Sequence, residues 1–534
     1  MRKFSSYGPI DTDLHYYAPR KALVTQALTL LLGDDPTKGG HYITVWGPRQ
    51  TGKTWIMQQV LRRLQAQPYP DSFDVIVIPL EHLKIQSDAN LVIQAIAAEI
   101  IERLALGAMR VTSPAEFHDI FKKGVLKKPL ILILDEFDAL AETVISGLVG
   151  VFRNIYIRRR YQADTPTADQ DYLLHGLALI GVRAVLGVEN VSGSPFNVQR
   201  SLHIPNLTFD EVVHMFQWYE QESGQSIEPA VVERLFYETQ GQPGLIGWFG
   251  ELLTETYNHT PDQPLTMANF EEVYAAATKV LPNNNILNII SKARQEPYKQ
   301  FVLELFKADE PIAFEYEHQA INYLYLNGVI DQIKISSTDY EVKFSCPFVQ
   351  KRLFTYFASD LFPTLDRLYD PFDDLTDTIT DDSLNIKNLL RRYETYLRQN
   401  HHWLFKDAPR RQTDLRIYEA VYHFNLYMYL VRFLQRRGGQ VHPEFPTGNG
   451  KIDLIIQYAG QQYGLELKSF TDSFGYKEAL SQAAKYGRSL NLAEISLVFF
   501  VEVIDEANRT RYETPYVDSA TGVSVTPIFV QTGG

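Results

Sequence analysis

One stretch of the sequence limits the possible folds more than any other. The apolar run HYITVWG is followed by GPRQTGKT, residues 47–54, and then by the helical pattern WIMQQVLRRLQAQ. This is the pattern G-x-x-x-x-G-K-[ST] in its required order of strand, loop and helix, which is typical of a phosphate-binding P-loop. A chance match in a chain of this length is expected on the order of one time in a hundred. The sequence therefore predicts a P-loop nucleotide-binding fold.

Each residue type in this loop has a physical role. The two glycines let backbone amides turn toward phosphate oxygens, and the N-terminus of the following helix adds partial positive charge. Lys53 is expected to reach the β and γ phosphates, and Thr54 to ligate Mg²⁺. We therefore expect ATP and Mg²⁺ as cofactors. The residues expected to bind the nucleotide in this loop are Gly47, Pro48, Gln50, Thr51, Gly52, Lys53 and Thr54.

A second acidic motif completes the expected nucleotide site. The apolar run PLILIL ends in Asp135 and Glu136. Asp135 would hold Mg²⁺, and Glu136 is placed to polarise an attacking water, which predicts hydrolysis as well as binding. Asp138 is expected to be a helix N-cap. Arg183 ends the next apolar run, where its guanidinium could sense the γ-phosphate; the alternative is a surface arginine.

Strand-like and helical stretches alternate through the first part of the chain. Helical patterns separate four apolar runs rich in β-branched residues, at 41–47, 73–80, 129–137 and 177–185. Runs as continuously apolar as 130–134 are typical of strands covered on both faces, as in a parallel sheet between helices. Beyond about residue 207, apolar residues recur three and four apart, which predicts a helical lid. The fold class expected for this part is α/β.

The residues after the lid predict a winged helix. KQFVLELFK and FEYEHQAINYLYLNGVI read as helices, and DQIKIS with YEVKFSC reads as a strand pair, ending near Ala358. A winged helix can read DNA, but FEYEHQAINYLYLNG contains neither Lys nor Arg, so the attraction to phosphates is missing. A structural or switching role is therefore favoured.

Charge is distributed unevenly along the chain. The whole sequence has a net charge of -13, whereas residues 386–534 carry 18 Lys and Arg against 15 Asp and Glu. Residues 366–382 contain seven aspartates and little apolar periodicity, which indicates an exposed linker between domains. The alternative is an acidic loop that does not mark a domain boundary. We expect five regions: a P-loop core at 1–205, a helical lid at 206–295, a winged helix at 296–360, an acidic linker at 361–385 and a C-terminal domain at 386–534.

The first part of the chain resembles the AAA-like ATPases of the STAND group, over roughly residues 12–358. By this resemblance, Arg183 takes the sensor role, Pro243 lies near the adenine, and ATP drives assembly into a homo-oligomer. STAND proteins often carry repeat arrays as sensors, and no repeat is visible here. The resemblance rests on Tyr16-Tyr17-Ala18-Pro19-Arg20, Gly47 to Thr54, Asp135-Glu136, Arg183, Ser194-Pro195-Phe196-Asn197 and Gly241-Gln242-Pro243-Gly244.

The C-terminal region carries a second group of carboxylates. Its pattern is a long helix, strands that include GKIDLIIQYAG and QQYGLELKSF, a helix and a further strand. A hairpin would place Asp453 on one strand and Glu466 with Lys468 on the next, where residues two apart share a face. Two such carboxylates can bind Mg²⁺, and the lysine can orient water and stabilise charge on a phosphate. The plain alternative is a capping aspartate and a surface salt bridge.

This arrangement resembles the PD-(D/E)XK nuclease superfamily, and implies a restriction-endonuclease-like α/β domain separate from the ATPase. The core residues carried over are Asp453, Glu466 and Lys468. Glu419, on the long first helix, matches an additional metal ligand, and Gln482 begins a Q-x-x-x-Y match on the following helix. The residue before the aspartate is isoleucine and not the usual proline. Mg²⁺ is the expected metal, and Mn²⁺ is acceptable to the same ligands.

Basic residues around this site fit a track for the phosphates of a nucleic acid, although several would be only solvated helix faces. His401 and His402 have no third ligand spaced nearby, so they are not expected to bind metal. The candidate track consists of Arg391, Arg392, Arg398, Arg410, Arg411, Arg416, Arg432, Arg436, Arg437, Lys477, Lys485 and Arg488.

These features lead to one main hypothesis. The chain is expected to be an ATP-binding and ATP-hydrolysing switch that controls a metal-dependent DNA endonuclease, in prokaryotic defence against phage or mobile DNA as the resemblance implies. The alternative is a regulatory or scaffold ATPase whose nuclease-like domain binds nucleic acid without cutting. A single cysteine, Cys346, and the absence of an apolar leader or an uncharged 18-residue span predict a cytoplasmic protein without a membrane segment.

Overall fold

The computed structural model describes most of the chain as two compact units. Unit 1 comprises residues 1–281 and 315–328, and unit 2 comprises residues 282–314 and 329–534. The described residues are 1–107, 109–181, 199–307, 311–370, 372–411, 417–444, 453–469 and 473–533.

Unit 1 is built on a five-stranded parallel sheet. The strand order is β2-β3-β4-β1-β5, so β4 lies between β1 and β3. Because all five strands are parallel, the carboxyl ends of β1 and β3 lie on the same edge of the sheet. The strands are β1 (Tyr42–Trp46), β2 (Asp74–Pro79), β3 (Leu130–Asp135), β4 (Leu174–Ile180) and β5 (Gln199–His203).

Helices cover both faces of this sheet. Alternate side chains of β3 enter two separate apolar cores: Leu130, Leu132 and Leu134 enter one, and Ile131 and Ile133 enter the other. This two-sided burial explains the continuously apolar strand sequence. The helices before the lid are α1 (Lys21–Leu32), α2 (Lys53–Leu64), α3 (Tyr69–Ser72), α4 (Ala89–Arg103), α5 (Pro114–Asp119) and α6 (Glu142–Arg160).

The lid of unit 1 is helical, as its periodicity predicts. Its first helix begins with a capping box in which Thr208 and Glu211 satisfy each other's backbone amides, at 3.2 and 2.9 Å. A further helix of unit 1 lies in segment 315–328. These helices are α7 (Phe209–Ser223), α8 (Pro229–Thr239), α9 (Pro243–Glu251) with a π-helical extension (Leu252–Thr256), α10 (Met267–Lys279) and α13 (Gln319–Leu326). Helices α11 (Asn284–Ala293) and α12 (Tyr298–Lys307), which lie between α10 and α13 in the chain, belong to unit 2.

Unit 2 contains a second sheet, of six strands in the order β12-β13-β11-β10-β9-β8. Strand β11 is parallel to β10 and β13, whereas β9 is antiparallel to β10 and β8. A separate hairpin pairs β6 with β7. The strands are β6 (Ile330–Lys334), β7 (Tyr340–Phe344), β8 (Gln440–Glu444), β9 (Asp453–Tyr458), β10 (Gln461–Ser469), β11 (Glu494–Val501), β12 (Tyr516–Val517) and β13 (Ser524–Gln531).

The helices of unit 2 carry its remaining apolar side chains. Helix α17 lies between β10 and β11 in the chain and buries Ala479, Leu480, Ala483 and Ala484 in a core with β11 and β13. The helices are α11 (Asn284–Ala293), α12 (Tyr298–Lys307), α14 (Pro347–Leu361), α15 (Ile386–Leu404), α16 (Glu419–Gln435), α17 (Ser473–Ser489) and α18 (Glu506–Tyr512).

The boundaries expected from the sequence stay predictions. Residues 361–385 lie inside unit 2, and Arg392 of α15 holds this segment by bonds to the Thr378 hydroxyl at 2.7 Å and the Asp377 carboxylate at 2.8 Å. The expected winged helix is divided, because α13 belongs to unit 1 while α11, α12 and the β6–β7 hairpin belong to unit 2. No helix in the described ranges is both long enough and apolar enough to cross a membrane.

Candidate functional site

The P-loop joins the end of β1 to the start of α2. A Cβ atom on Gly47 would lie 2.7 Å from the Ile204 carbonyl oxygen, so the close approach of β5's end requires glycine there. Gly52 has a φ of 91° and leads directly into α2, which begins at Lys53. The Thr51 hydroxyl donates to the Pro48 carbonyl at 2.9 Å. The loop thus presents the amino end of a helix at the sheet edge, where anions bind.

Lys53 lies within the curve of this loop. Its Nζ donates to the carbonyl oxygens of Gly47 at 2.7 Å and Pro48 at 2.8 Å. Burial lowers the pKa of Lys53 to about 8, and the carboxylates of Asp138 and Asp135 act in the opposite direction. A cation is therefore fixed beside the backbone that would surround a phosphate group.

Two oxygen-bearing side chains meet next to Lys53. The Thr54 hydroxyl donates to Oδ2 of Asp135 at 3.1 Å, and the backbone N–H of Glu136 donates to Oδ1 of Asp135 at 3.0 Å. Burial raises the pKa of Asp135. A hydroxyl and a carboxylate in contact are the oxygen ligands that Mg²⁺ prefers, so Thr54 and Asp135 fit the metal that the sequence predicts.

Glu136 stands at the exposed end of this group. Its backbone is left-handed, with a φ of 55°. The pKa of its carboxyl is raised, mainly because the group is partly buried and secondly because the negative charge of Glu81 is nearby. Asp138 is not the helix N-cap expected from the sequence, because it lies inside a short 3₁₀ turn, Phe137–Ala139. The space is tight there: a Cβ on Gly181 would lie 2.5 Å from Asp138 Oδ1.

The predicted sensor residue and one family motif cannot be placed. Arg183 and the segment 194–197 lie outside the described residues. Pro243 is the first residue of α9, in a turn that contacts the P-loop through its neighbours. Gln242 Nε2 donates to the Arg49 carbonyl at 3.0 Å, and Gly244 packs on the Gln50 side chain.

A contact on the P-loop comes from segment 315–328, which sequence reasoning did not place at this site. A Cβ on Gly328 would lie 3.0 Å from Pro48 Cβ, and the Tyr325 ring lies 6.1 Å from the Trp46 ring. Arg49, omitted from the predicted site, carries a charge that acts on the pKa values of Lys53 and Glu136. Arg49 lies inside the P-loop motif, and this position could have identified it from the sequence as a residue of the site.

Residues 1–20 connect the lid to the core. Arg2 pairs with Glu222 of α7, and a Cβ on Gly250 would lie 2.4 Å from the Phe4 ring. The Tyr17 ring lies 5.1 Å from Trp55 of α2 and 5.5 Å from Trp218 of α7. This segment therefore contacts both the P-loop helix and the lid.

The carboxylates of unit 2 form a second candidate site. Glu466 is 5% exposed and lies directly opposite Asp453 in the β9–β10 pairing. Lys468 Nζ lies 3.3 Å from Glu466 Oε1 and donates to Gln482 Oε1 of α17 at 2.5 Å. The structure thus brings Glu466, Lys468 and Gln482 together. Asp453 is placed by its backbone only, because its side chain lies outside the described set.

Glu419 begins α16 and has a different neighbour. His423 Nε2, one turn later, lies 4.0 Å from Glu419 Oε1, and burial lowers the pKa of His423 to about 3. Across the side chains that the structure describes, no group of three His, Cys, Asp or Glu residues is close enough to hold a metal. The metal-ligand role of Glu419 stays a prediction.

The structure divides the predicted basic track into paired and exposed residues. Arg391 pairs with Glu513, Arg392 with Asp377, and Arg437 stacks over the Phe433 ring at 4.8 Å. Arg416 lies outside the described residues. Those that are exposed and make no ion pair within the described ranges are Arg398, Arg432, Arg436, Lys477, Lys485 and Arg488.

Three of these exposed cations lie on α17, the helix that carries Gln482. Lys477, Lys485 and Arg488 are separated by eight and three residues, which places them along one side of the helix, next to Gln482. This side faces away from the alanine-rich surface that packs on the sheet. A basic stripe therefore runs beside the Glu466–Lys468–Gln482 group.

Comparison with family models gives one match. The model of a family described as "AAA-like domain" matches residues 6–275, just over half of the chain. The matched range includes the P-loop, Asp135, Glu136 and most of the lid. A search of curated proteins gives no match.

Solved structures similar to this chain include the following three proteins. The Walker-type ATPase of Pyrococcus abyssi is 14% identical, with 66% of this chain and 99% of that chain covered and a TM-score of 0.41. The Orc1 protein of Aeropyrum pernix, solved in complex with DNA, is 17% identical, with 63% and 92% covered and a TM-score of 0.33. Cdc6p of Pyrobaculum aerophilum is 16% identical, with 66% and 95% covered and a TM-score of 0.34.

Proposed function

This chain belongs to the AAA-like P-loop ATPase family, and from that premise we propose that it is an ATP-hydrolysing switch controlling a metal-dependent nuclease domain. The observation that carries the proposal is the pair of lysine-centred sites. Lys53 lies beside Thr54 and Asp135 in unit 1, and Lys468 lies between Glu466 and Gln482 in unit 2.

In unit 1, the loop and its neighbours divide the work of hydrolysis. The loop amides and Lys53 hold the phosphates, and Thr54 and Asp135 would hold Mg²⁺. The metal, when bound, neutralises charge on the phosphate oxygens. Glu136 accepts a proton from the attacking water, and its raised pKa makes it a stronger base than an ordinary glutamate. By the family resemblance, Arg183 senses the γ-phosphate and Pro243 contacts the adenine.

In unit 2, the residues fit phosphodiester cleavage. The ammonium of Lys468 is fixed by a carboxylate and an amide, so it is held ready to stabilise negative charge on a phosphate. Glu466 and Asp453, opposite each other on paired strands, would hold Mg²⁺ or Mn²⁺, with Glu419 as a further ligand. The metal would supply a nucleophilic water at neutral pH.

DNA is the proposed substrate, and nucleotide-dependent homo-oligomers are the proposed active form. The exposed basic stripe of α17 beside the site supports a nucleic-acid substrate, because exposed cations provide most of the attraction to a phosphate backbone. The role in prokaryotic defence against phage or mobile DNA, and the membership in the STAND group, rest on the resemblance of the sequence.

A second candidate is a regulatory ATPase whose unit 2 binds nucleic acid without cutting it. One observation favours it: the exposed cations Lys477, Lys485 and Arg488 of α17 would attract a phosphate backbone whether or not it is cut. The two candidates differ in whether unit 2 cleaves nucleic acid in a reaction that requires Lys468.

The test is a cleavage and ATPase assay on the full chain. Plasmid, linear duplex, single-stranded DNA and RNA are incubated with Mg²⁺ or Mn²⁺, with and without ATP. The variants are Lys53→Ala and Lys468→Ala, and the matched controls are the exposed lysines Lys127→Ala in unit 1 and Lys406→Ala in unit 2.

The expected result is cleavage that Lys468→Ala abolishes and that Lys53→Ala changes, with ATP hydrolysis lost only in Lys53→Ala. ATP hydrolysis without cleavage of any substrate would support the binding-only candidate. Unchanged hydrolysis in Lys53→Ala would overturn the assignment of the nucleotide site.

A further inference from the structure

Two residues of the lid contact the P-loop directly. Gln242 precedes α9 and uses both ends of its amide: Oε1 accepts from the Leu245 N–H at 2.6 Å, and Nε2 donates to the Arg49 carbonyl at 3.0 Å. The first bond caps the lid helix and the second holds the loop. One side chain therefore ties the start of a lid helix to the backbone of the nucleotide site.

Gly244 makes the second contact. A Cβ on this residue would lie 2.2 Å from Gln50 Oε1 and 2.7 Å from Gln50 Cβ. Rotation of the Gln50 side chain can move Oε1, but Cβ is fixed to the backbone and cannot move away. Glycine at this position is therefore what allows the lid to pack on the loop.

Gln50 has an unfavourable backbone conformation at this contact. Its φ is 59°, in the left-handed region that residues with a Cβ rarely adopt. Its Oε1 is buried and has no hydrogen-bond partner among the described residues. Strained residues of this kind persist where surrounding packing holds them, and here the packing surface is Gly244 of the lid.

We propose that Gln242 and Gly244 form a latch that holds the P-loop in its phosphate-binding shape, so that nucleotide binding and lid position are coupled through Arg49 and Gln50. The latch acts on the loop backbone and not on the nucleotide, so its two residues are positioning residues. Coupling is reciprocal: if the latch strengthens nucleotide binding, nucleotide must strengthen the latch by the same factor. The inference rests on the proposed nucleotide site at residues 47–54.

The test measures the affinity of the full chain for a fluorescent ATP analogue with Mg²⁺. In Gly244→Ala the added methyl group separates lid and loop, and we expect about tenfold weaker binding, within the usual range of coupling between sites. In a Gln50→Gly background, which lacks the Cβ that collides, the same Gly244→Ala change should weaken binding less than about twofold relative to Gln50→Gly alone. In a Gln50→Ala background that Cβ remains, so Gly244→Ala should still weaken binding about tenfold relative to Gln50→Ala alone.

A matched control is Gly147→Ala, a helical glycine of α6 where a Cβ meets nothing within 4 Å. Its affinity should equal that of wild type. A second variant, Gln242→Glu, keeps an oxygen to cap Leu245 but replaces the donor to Arg49 by a carboxylate. We expect about fivefold weaker binding of the ATP analogue from this change, because the lid would no longer hold the Arg49 carbonyl. It tests the latch even if Gly244→Ala fails to fold.

Hydrogen exchange provides the reciprocal measurement. The ATP analogue should slow amide exchange over residues 240–251 in wild type, and much less in Gly244→Ala. Wild-type affinity in both Gly244→Ala and Gln242→Glu, or an equal effect of Gly244→Ala in the Gln50→Ala and Gln50→Gly backgrounds, would overturn the latch. If Lys53→Ala also leaves affinity unchanged, the proposed nucleotide site itself fails, so the two failures are distinguishable.

Discussion

The two candidate sites each centre on a lysine, but they hold it in different ways. In unit 1, Lys53 donates hydrogen bonds to carbonyl oxygens of its own loop, which lie within six residues of it in the sequence. In unit 2, Lys468 is held by side chains on a strand and a helix, with Gln482 fourteen positions away. The first site is a backbone structure that a short motif can encode. The second depends on strand register and helix placement, so a substitution far from the lysine can disturb it.

The largest expected effect separates catalysis from binding in unit 1. Glu136→Gln removes the proposed base without removing any contact of the loop, so ATP hydrolysis should fall about a thousandfold. Affinity for ATP should change less than about twofold, since general-base function and ground-state binding are separate. Steady-state hydrolysis and equilibrium binding check this, with Glu142→Gln as the control. Hydrolysis at the wild-type rate would show that another residue activates water.

The next effect tests whether the lysine of unit 2 depends on a distant side chain. Gln482→Leu removes the oxygen that holds Lys468, and DNA cleavage should fall about 10- to 100-fold, as for other groups that orient a site. ATP hydrolysis should not change. Gln399→Leu, an exposed glutamine of α15, is the matched control for single-turnover cleavage. If both variants cut DNA equally well, the function of Lys468 would not depend on Gln482, and the proposed difference between the two sites would be wrong.

A smaller effect concerns the basic stripe beside the second site. Lys485→Glu with Arg488→Glu should weaken DNA binding about tenfold and reduce the slope of log affinity against log salt by about 2. Fluorescence anisotropy with EDTA measures binding without cleavage. Lys279→Glu with Lys406→Glu changes the net charge equally and should leave the slope unchanged. Equal slopes in both double variants would mean that α17 does not track phosphates.

The smallest effect concerns a feature that the two units share. Each contains a buried histidine, His175 and His423, whose pKa burial lowers to about 3. The folded pKa of His175 lies below the unfolded value, so only the unfolded chain takes up this proton as pH falls below 6.5. The free energy of unfolding should therefore drop by about 1 kcal/mol between pH 8 and pH 6 from this residue.

His175→Gln should remove that pH-dependent loss, because glutamine does not titrate. Urea unfolding of the full chain at pH 8 and pH 6 measures it, through the transition of unit 1. An identical shift of the midpoint in wild type and variant would show that His175 is not the group responsible. The residue lies at the start of β4, opposite the P-loop end of the sheet, so ATP affinity should not follow this change.

The sequence predicts the first unit more completely than the second, for a physical reason. The parallel α/β sheet was predicted correctly, because strands buried on both faces have continuously apolar sequences and β3 has one. The contacts of Gln242, Gly244 and Gly328 with the loop could not be predicted, since they depend on how distant segments pack.

In unit 2, the sequence predicts that Glu466 and Lys468 share a face, because residues two apart on a strand do so. It could not show that Lys468 is bonded to Gln482, which depends on where α17 crosses the sheet. Nor could it distinguish Arg391, which pairs with Glu513, from exposed Lys485, because pairing partners lie far apart in the chain.

The attachment of the first residues to the lid has a consequence for biosynthesis. Arg2 and Ser6 bond to Glu222 and Glu251, which are 220 and 245 positions later. At ordinary translation rates these partners emerge roughly 10 to 50 s after the residues they hold. Phe4 therefore lacks its contact with Gly250 until α9 has left the ribosome, and the full packing of residues 1–6 on the lid is a late step in the maturation of unit 1.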